Sequence, residues 1–233
     1  MVNEMNLSGK TIVITGSSKG IGKETAILLE KLGANLVLGS RNTKRLLQRN
    51  VLELPLDVTD ENSVKEFYEK AIFQFQTIDV LINCAGVGMF ESLLDSKTED
   101  FDQMMNVNLR GTYLTCKYFG KKMSIQGKGH IINIVSLAGT TALPGCGGYS
   151  ASKFGLMGLT KILQVELRQK GIQVTSVIPG AISSSFWDHI DPKPDMSDMI
   201  STETVAIHLL SLINQPPGAF IDEITIMPPK GIL

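Results

Sequence analysis

Tyr149 and Lys153 are the residues whose types and spacing most directly suggest chemistry. They are four positions apart in a stretch with helical periodicity, so their side chains share one face, one turn apart. A free phenol has a pKa of about 10, which is too high for efficient proton exchange near neutral pH. A neighbouring ammonium stabilises the phenolate and lowers that pKa, which predicts Tyr149 as a general acid and base. Taken singly, a packed aromatic ring and a surface lysine remain the alternatives.

A glycine-rich turn separates the first predicted strand from the first predicted helix. Glycine lets the backbone turn sharply and approach a ligand, and a helix N-terminus offers free N–H groups and a positive dipole end. These features suit the pyrophosphate of a dinucleotide, although a plain tight turn has a similar composition. The spacing is G-x-x-x-G-x-G rather than the commoner G-x-G-x-x-G. The candidate pyrophosphate-binding residues are Gly16, Ser18, Lys19, Gly20, Ile21 and Gly22.

The end of the second predicted strand distinguishes between two dinucleotides. NAD-binding folds of this kind place a carboxylate there to bind the ribose 2′-hydroxyl. This chain has Ser40, Arg41 and Asn42 instead, with no carboxylate among them. A guanidinium binds a 2′-phosphate through two hydrogen bonds, and Lys19 adds a second positive charge. The sequence therefore predicts NADP(H) as the cofactor in preference to NAD(H).

Short apolar segments alternate with amphipathic segments along almost the whole chain. Strands are predicted at residues 11–15, 35–38, 51–56, 78–83, 130–136, 172–179 and 220–227. Helices are predicted at residues 22–32, 60–75, 99–123 (one helix or two abutting ones), 149–170 and 202–213, with at most two helical turns between the second and third strands. Strands that are apolar on both faces and separated by helices are typical of a covered parallel sheet. We expect an α/β fold in one domain, residues 1–233: a doubly wound, Rossmann-type parallel sheet of about seven strands with helices on both faces.

Composition narrows the classes of partner. The 233 residues carry a net charge of −1, which gives no global positive field for nucleic acid or an anionic membrane. No apolar run is long enough to span a bilayer, and the N-terminus does not resemble a signal peptide. The three cysteines form neither a disulfide framework nor a zinc pattern, and the three histidines are scattered, so we expect no metal. Together these features predict a cytoplasmic protein.

Several motifs in order resemble those of the short-chain dehydrogenase/reductase family. The resemblance runs from about residue 7 to residue 228, and it includes the glycine turn and the Tyr149-x-x-x-Lys153 pair. The remaining motifs are Asp57-Val58, Asn83-Cys84-Ala85-Gly86, Asn108, Ser136 and Pro179-Gly180. Two departures are modest: Cys84 stands where the family usually has asparagine, and Ser184 where threonine is common. The C-terminal segment looks more like that of NADP-preferring small carbonyl reductases.

The resemblance implies roles for these residues. Tyr149 is the acid/base, Ser136 holds the substrate oxygen, Asn108 helps to order a water that passes protons towards Lys153, and Lys153 also binds the nicotinamide ribose. The other implied cofactor contacts are Asp57, Val58, Asn83, Ala85, Gly86, Pro179, Gly180, Ile182 and Ser184. The family also assembles into homodimers or homotetramers through the helices predicted at residues 99–123 and 149–170.

The expected substrate is small and uncharged. Its wall is predicted from Met89, Phe90, Phe186, Trp187 and residues 137–147, which are mostly apolar, with the loop at 180–194 as a candidate lid. Reduction of a β-ketoacyl group on an acidic carrier protein is an alternative, for which Lys121, Lys122 and Lys128 would supply the basic patch. A catalytically silent NADP-binding protein and a nucleotide-sugar epimerase or dehydratase are further alternatives.

Replacing Arg41 tests the cofactor preference. We expect Arg41→Ala to weaken NADPH binding by about 10- to 100-fold, because it removes charge-assisted hydrogen bonds to the 2′-phosphate. NADH, which has no such phosphate, is expected to bind with little change. Titrations of both cofactors by fluorescence measure the two losses, and equal losses would rule the assignment out.

Overall fold

The computed structural model describes residues 6–43, 47–48, 50–188, 190 and 194–232. The strands within these residues are β1 (Thr11–Thr15), β2 (Asn35–Ser40), β3 (Leu47–Gln48), β4 (Val51–Pro55), β5 (Val80–Asn83), β6 (Gly129–Ile134), β7 (Ile172–Pro179), β8 (Ile182–Ser183), β9 (Ile200–Ser201) and β10 (Glu223–Ile226). The α-helices are α1 (Gly20–Lys31), α2 (Glu61–Phe75), α3 (Thr98–Met104), α4 (Thr112–Gln126), α5 (Gly147–Arg168) and α6 (Thr202–Ile213).

The main sheet has the order β10-β7-β6-β5-β1-β2-β4-β3. All neighbours pair in parallel except β3, a two-residue strand that pairs antiparallel with β4 at the edge. From β1 the chain first builds outward through β2 and β4, and then returns to build β5, β6, β7 and β10 on the other side. Ligands of open α/β sheets bind where the strand order reverses in this way, here between β1 and β5. The predicted doubly wound parallel sheet of about seven strands is confirmed.

One local expectation is wrong for the residues that can be described. A helical turn or two was expected between β2 and β4, but residues 47–48 form strand β3. Their backbone pairs with Val51 and Leu52, which offer free hydrogen-bonding groups at the sheet edge. Residues 44–46 and 49 lie outside the described part of the chain.

Alternating residues of the central strands pack into separate cores on the two faces of the sheet. In β1, Ile12 and Ile14 pack against α1 and α6, whereas Val13 packs on the other face, with α2 and α4. Successive side chains of a strand point to opposite faces, so a strand covered on both sides must be apolar throughout. All eight residues of β7 are buried for the same reason. This sheet holds the carboxyl ends of its strands along one edge.

The long helical stretch between β5 and β6 is interrupted rather than continuous. Between α3 and α4 the chain forms a π-helical segment, Met105–Gly111, with the buried Asn108 inside it. Such segments are rare and occur frequently at functional sites, because the wider turn re-aims its side chains. The expectation of either one long helix or two abutting ones therefore becomes two α-helices joined by a π turn.

The segment expected to be a lid begins with regular structure. Strand β8 pairs in parallel with β9, and residues Ser185–Trp187 form a 3₁₀ turn. Residues 189 and 191–193, which include His189, lie outside the described part of the chain. Across the residues that are described, none of the helices combines the length and the apolar character needed to cross a membrane.

His130, at the start of β6, is a buried neutral histidine. Its Nε2 lies 2.8 Å from the Thr175 hydroxyl, which itself donates to the backbone oxygen of Ile221. Since that hydroxyl hydrogen is already used, the imidazole Nε2–H must be the donor to Thr175. Burial lowers the pKa of His130 to about 3, with a smaller contribution from the charge of Lys10.

This histidine makes the fold sensitive to acid in a defined window. Between pH 6.5 and about 3 the unfolded chain binds a proton at His130 that the folded chain does not, so stability falls as pH falls. We expect the free energy of unfolding to drop by about 1 kcal/mol between pH 7 and pH 5.5 from this group. Urea unfolding of His130→Gln is expected to show a correspondingly flatter pH profile. A His130→Gln profile as steep as the wild type would contradict the assignment.

Candidate active site

A cavity of about 1180 Å³ lies along the carboxyl edge of the sheet. The turns after β1, β2, β4, β5, β6 and β7 all contribute to it, as the geometry of a parallel sheet requires. Most residues singled out from the sequence line this cavity, namely Gly16, Ser18, Lys19, Gly20, Ile21, Gly22, Ser40, Arg41, Asp57, Val58, Ala85, Gly86, Ser136, Tyr149, Lys153, Pro179, Gly180, Ile182 and Ser184. Asn42, Asn83 and Asn108 are not part of the lining.

The turn after β1 is a cradle that only glycine permits. Gly16 has a φ of +69°, and a Cβ there would lie 2.7 Å from the backbone nitrogen of Ala85. A Cβ on Gly22 would clash with the carbonyl oxygen of Gly16. The next helix, α1, has no side-chain cap at its N-terminus. The first N–H groups of α1 are therefore left for a ligand, which an anion such as a phosphate satisfies well.

The positive charges predicted at this end of the cavity are in place. Lys19 and Arg41 are both exposed and both line the cavity, next to the end of β2. Ser40 directs its hydroxyl to the backbone oxygen of Asn42, which is itself exposed beside the cavity rather than in its wall. In the adjacent turn, after β4, the Asp57 carboxylate accepts hydrogen bonds from the backbone and side chain of Thr59, which fix that turn.

Tyr149, Ser136 and Lys153 meet at the carboxyl end of β6. The Ser136 hydroxyl oxygen accepts a hydrogen bond from Ala138 N at 3.1 Å, and the same hydroxyl is close enough to the phenol of Tyr149 to oppose the rise of its pKa. Lys153 is buried, and its Nζ donates to the backbone oxygen of Ile134 at 2.9 Å. The same Nζ lies 5.7 Å from the centroid of the Tyr149 ring. A phenol, an alcohol and an amine thus face one end of the cavity.

Burial determines the electrostatics of this group. It raises the pKa of Tyr149 to about 12, and the opposing effect of the Ser136 hydrogen bond is smaller. It also lowers the pKa of Lys153 to about 8. The expectation that the neighbouring ammonium lowers the tyrosine pKa is wrong in this structure, because desolvation dominates and Lys153 is turned towards Ile134. The phenol is consequently protonated at neutral pH, which suits a proton donor.

Asn108 ties the turn after β5 to the start of α5, the helix that carries Tyr149 and Lys153. Its Oδ1 accepts from Val87 N at 2.8 Å, and its Nδ2 donates to Val87 O at 2.8 Å and to Ser152 Oγ at 2.9 Å. The Ser152 hydroxyl then donates to the backbone oxygen of Tyr149 at 2.7 Å. The amide spans the turn after β5 and the first turn of α5. We therefore describe Asn108 as a positioning residue.

Comparison with known proteins identifies the family. A family profile described as short chain dehydrogenase matches residues 10–195. The chain belongs to the short-chain dehydrogenase family. An uncharacterised oxidoreductase of Staphylococcus aureus strain MRSA252 is 32% identical to it over 229 residues, covering 95% of this chain and 98% of the relative.

Solved structures of short-chain dehydrogenases superpose closely on this chain. ElxO with NADP bound has a TM-score of 0.85 and 32% identity, over 93% of this chain and 96% of ElxO. An alcohol dehydrogenase from the archaeon Thermococcus sibiricus, complexed with 5-hydroxy-NADP, has a TM-score of 0.85 and 30% identity, over 93% and 95% of the two chains. A metagenomic short-chain oxidoreductase in complex with NADP has a TM-score of 0.82 and 33% identity, over 95% and 98%.

Asn83 was predicted to contact the cofactor, but in this short-chain dehydrogenase its side chain does not line the cavity. Its side chain is buried under the sheet, where Nδ2 donates to Asn133 Oδ1 at 2.8 Å and Oδ1 accepts from the Thr115 hydroxyl at 2.7 Å. As the last residue of β5, it follows the strand alternation and points towards α4. The next residues, Cys84 and Ala85, line the cavity instead.

Two parts of the cavity wall were missed by sequence reasoning. Glu99, Asp102, Gln103 and Asn106 line it from one face of α3 and the π segment. Their polar i, i+3, i+4, i+7 spacing places them on one face of a helix, but such a spacing does not distinguish a face in solvent from one that lines a cavity. Gly231 and Ile232 also line the cavity. Their own sequence neighbours do not predict this contact, because it depends on how the rest of the chain folds.

Only some of the residues predicted to form the substrate wall line the cavity. Phe90, Phe186, Trp187 and residues 137, 138 and 143–146 line the cavity. Met89 is not part of the lining, and its backbone nitrogen donates to the sulfur of Met104. Nowhere in the described ranges do three His, Cys, Asp or Glu side chains gather as a metal site would need.

A pair of asparagines in the π segment tests the positioning role. We expect Asn108→Ala to lower the free energy of unfolding by about 2–3 kcal/mol, because buried groups on Val87 and Ser152 lose their partners. Asn106→Ala is the matched control: Asn106 is exposed in the same segment, so its loss is expected to change stability by less than about 0.5 kcal/mol. Urea unfolding of both variants gives the comparison. Equal stability of the two would remove Asn108 from this role.

Proposed function

We propose that this protein is an NADP(H)-dependent oxidoreductase that interconverts a carbonyl and an alcohol, with Tyr149 as acid and base. The observation that carries the proposal is that Tyr149, Ser136 and Lys153 all line the cavity that also contains the glycine cradle. The NADP-bound structures of ElxO and the metagenomic oxidoreductase, each about a third identical to this chain, support the choice of cofactor.

The residues present fit NADP(H). The Gly16 and Gly22 cradle leaves room for a pyrophosphate that any Cβ would fill, and the uncapped α1 supplies N–H donors. Lys19 and Arg41 are placed for the 2′-phosphate, and residues 41–43 include no carboxylate that would oppose it. The remaining cavity residues would contact adenine (Asp57, Val58), the adenosine ribose (Ala85, Gly86), the nicotinamide ribose (Lys153) and nicotinamide (Pro179, Gly180, Ile182, Ser184).

The proton chemistry follows from the side chains in place. NADPH, when bound, supplies the hydride. As the carbonyl carbon receives that hydride, the π electrons of the C=O bond move to oxygen, which takes the phenolic proton of Tyr149. The Ser136 hydroxyl stabilises the developing charge on that oxygen. Lys153, with its pKa lowered to about 8, lies beside the phenolate that remains.

The protonation state of Tyr149 agrees with reduction near neutral pH. Burial raises the pKa of this phenol to about 12, so it carries the proton that reduction consumes throughout the physiological range. Oxidation of an alcohol needs the deprotonated phenol as base, so it is expected to gain as pH rises.

A carrier-bound substrate is less well supported than a small one. Lys121 and Lys122 lie near the end of α4 and Lys128 just before β6, so all three belong to the amino edge of the sheet, opposite the cavity. The ion pair of Lys128 with Asp79, directly before β5, agrees with that placement. An acidic carrier would instead meet Glu99 and Asp102 at the cavity. These charges support a small substrate without a carrier.

Exposed apolar side chains on α4 and α5 support assembly into a homo-oligomer, as a dimer or a tetramer. Tyr113, Phe154, Ile162 and Val165 are 46%, 46%, 57% and 75% exposed. Apolar side chains clustered on neighbouring elements typically mark an interface, here between copies of the chain. Light scattering of the purified protein measures the number of copies.

The decisive experiment removes one oxygen atom. Tyr149→Phe is expected to lower kcat/KM for carbonyl reduction by about 10²- to 10⁴-fold, because the proton donor is lost, while NADPH binding is retained. NADPH absorbance with a panel of carbonyls measures turnover, and fluorescence titration measures binding. Tyr113→Phe is the control: it removes the hydroxyl of a half-exposed tyrosine on α4, and the variant is expected to behave as the wild type. Full turnover by Tyr149→Phe would refute the proposal; tight NADPH binding by the wild type with no turnover of any carbonyl or alcohol would favour the silent alternative.

A further inference from the structure

Three aromatic rings form one wall of the cavity, which we call the aromatic wall: Phe90, Phe186 and Trp187. Phe90 is stacked on Trp187, with ring centroids 5.4 Å apart and an interplanar angle of 19°. Phe186 meets both edge-on, at 5.3 Å from Trp187 and 5.9 Å from Phe90. The rings come from two segments, the turn after β5 and the 3₁₀ turn after β8, and they pack directly against each other.

The aromatic wall reaches the acid/base itself. The Tyr149 ring lies 5.4 Å from Phe90 and 5.9 Å from Phe186. A substrate whose oxygen is hydrogen-bonded to the Tyr149 and Ser136 hydroxyls must therefore place the rest of its structure beside these rings. The groups next to the carbonyl are thus the ones on which the wall acts.

The rings are held in place by contacts that are independent of a substrate. Trp187 Nε1 donates to the backbone oxygen of Ile182 at 2.8 Å, and Ser184 Oγ caps the 3₁₀ turn by accepting from Phe186 N at 3.3 Å. The Phe186 ring packs on Gly88, where any Cβ would clash with it. A preformed arrangement loses little conformational entropy on binding, so it can discriminate between shapes.

Charge at this end of the cavity excludes anions. Within the described lining, the cations are Lys19 and Arg41 at the phosphate end and the buried Lys153. At the substrate end, α3 presents the exposed carboxylates of Glu99 and Asp102, and α3 packs against α5 at Gly148, next to Tyr149. An anionic tail would meet these carboxylates without a compensating cation.

We propose that the substrate is an uncharged aryl carbonyl compound, or the corresponding aryl alcohol, and that Phe90 and Trp187 determine this specificity. The inference rests on the proposed function. The aryl ring lies against the aromatic wall in offset or edge-on contact, while its carbonyl oxygen accepts hydrogen bonds from Tyr149 and Ser136. Aromatic pairs in these geometries gain free energy beyond their buried area, and a saturated ring of equal size lacks that gain.

The test compares two ketones of nearly equal size, phenyl methyl ketone and cyclohexyl methyl ketone, with NADPH as reductant. Their intrinsic reactivities differ, so the measured quantity is the ratio of the two kcat/KM values and its change between variants, which cancels that difference. We expect the phenyl-to-cyclohexyl ratio to fall about 10-fold in Trp187→Leu and in Phe90→Leu, which keep an apolar side chain but lose the π face. Trp187→Phe, which keeps a ring, is expected to restore most of the ratio.

Two controls separate a specific effect from a general one. Leu143→Val changes an apolar cavity residue outside the aromatic wall and is expected to affect both ketones alike. The dissociation constant of NADPH, measured for every variant, reports whether the fold is intact. A phenyl ketone with a para-carboxylate is expected to have a KM at least about 10-fold above that of the para-carboxamide, since only the acid is charged at neutral pH.

The outcomes distinguish this inference from the proposed function beneath it. An unchanged phenyl-to-cyclohexyl ratio in both leucine variants, with both ketones turned over, overturns the aromatic specificity and leaves the oxidoreductase intact. Equal KM values for the carboxylate and the carboxamide overturn the charge argument. No reduction of any carbonyl by the wild type, despite tight NADPH binding, removes the proposed function and this inference with it.

Discussion

The catalytic end of this protein depends on one buried amide. Asn108 hydrogen-bonds both backbone groups of Val87 and the hydroxyl of Ser152, which in turn holds the backbone oxygen of Tyr149. This side chain therefore fixes the turn after β5 to the start of α5, together with the backbone bridge of Glu91 with Cys146 and the contact of the Phe90 and Tyr149 rings. The π-helical segment makes this possible, because its wider turn directs Asn108 inward between the two.

The second constraint is the desolvation of Tyr149 and Lys153. Tyr149 is packed beside Phe90 and Phe186, and Lys153 is only 5% exposed. Burial disfavours the charged form of each group, so it raises the phenol pKa and lowers the ammonium pKa at the same time. The two shifts move the pKa values of the phenol and the ammonium apart, because burial favours the neutral form of each group. The phenol therefore keeps its proton at neutral pH.

The cavity combines two chemistries that the fold keeps apart. One end has a glycine cradle, an uncapped helix N-terminus and the cations Lys19 and Arg41, all suited to phosphates. The other end has aromatic rings and carboxylates. Both ends belong to the carboxyl edge of one parallel sheet, and the reversal of strand order between β1 and β5 opens the space between them. A dinucleotide bound at the first end and a small molecule bound at the second would therefore meet only where these two ends join.

The sequence alone determined the sheet, most of its helices and most of the cavity lining, because these depend on local signals. Continuous runs of apolar and β-branched residues define strands that are buried on both faces, such as β1, and the spacing of Tyr149 and Lys153 on one helix fixes their shared face. The tertiary structure decided the rest. The Asn83 side chain points to the core because of the position of this residue in β5. Asn108 links two segments through hydrogen bonds to residues 21 and 44 positions away in the chain. The direction of the Tyr149 pKa shift was also decided there, because desolvation depends on which residues surround a group, and that information is spread over the whole chain rather than held in its neighbours.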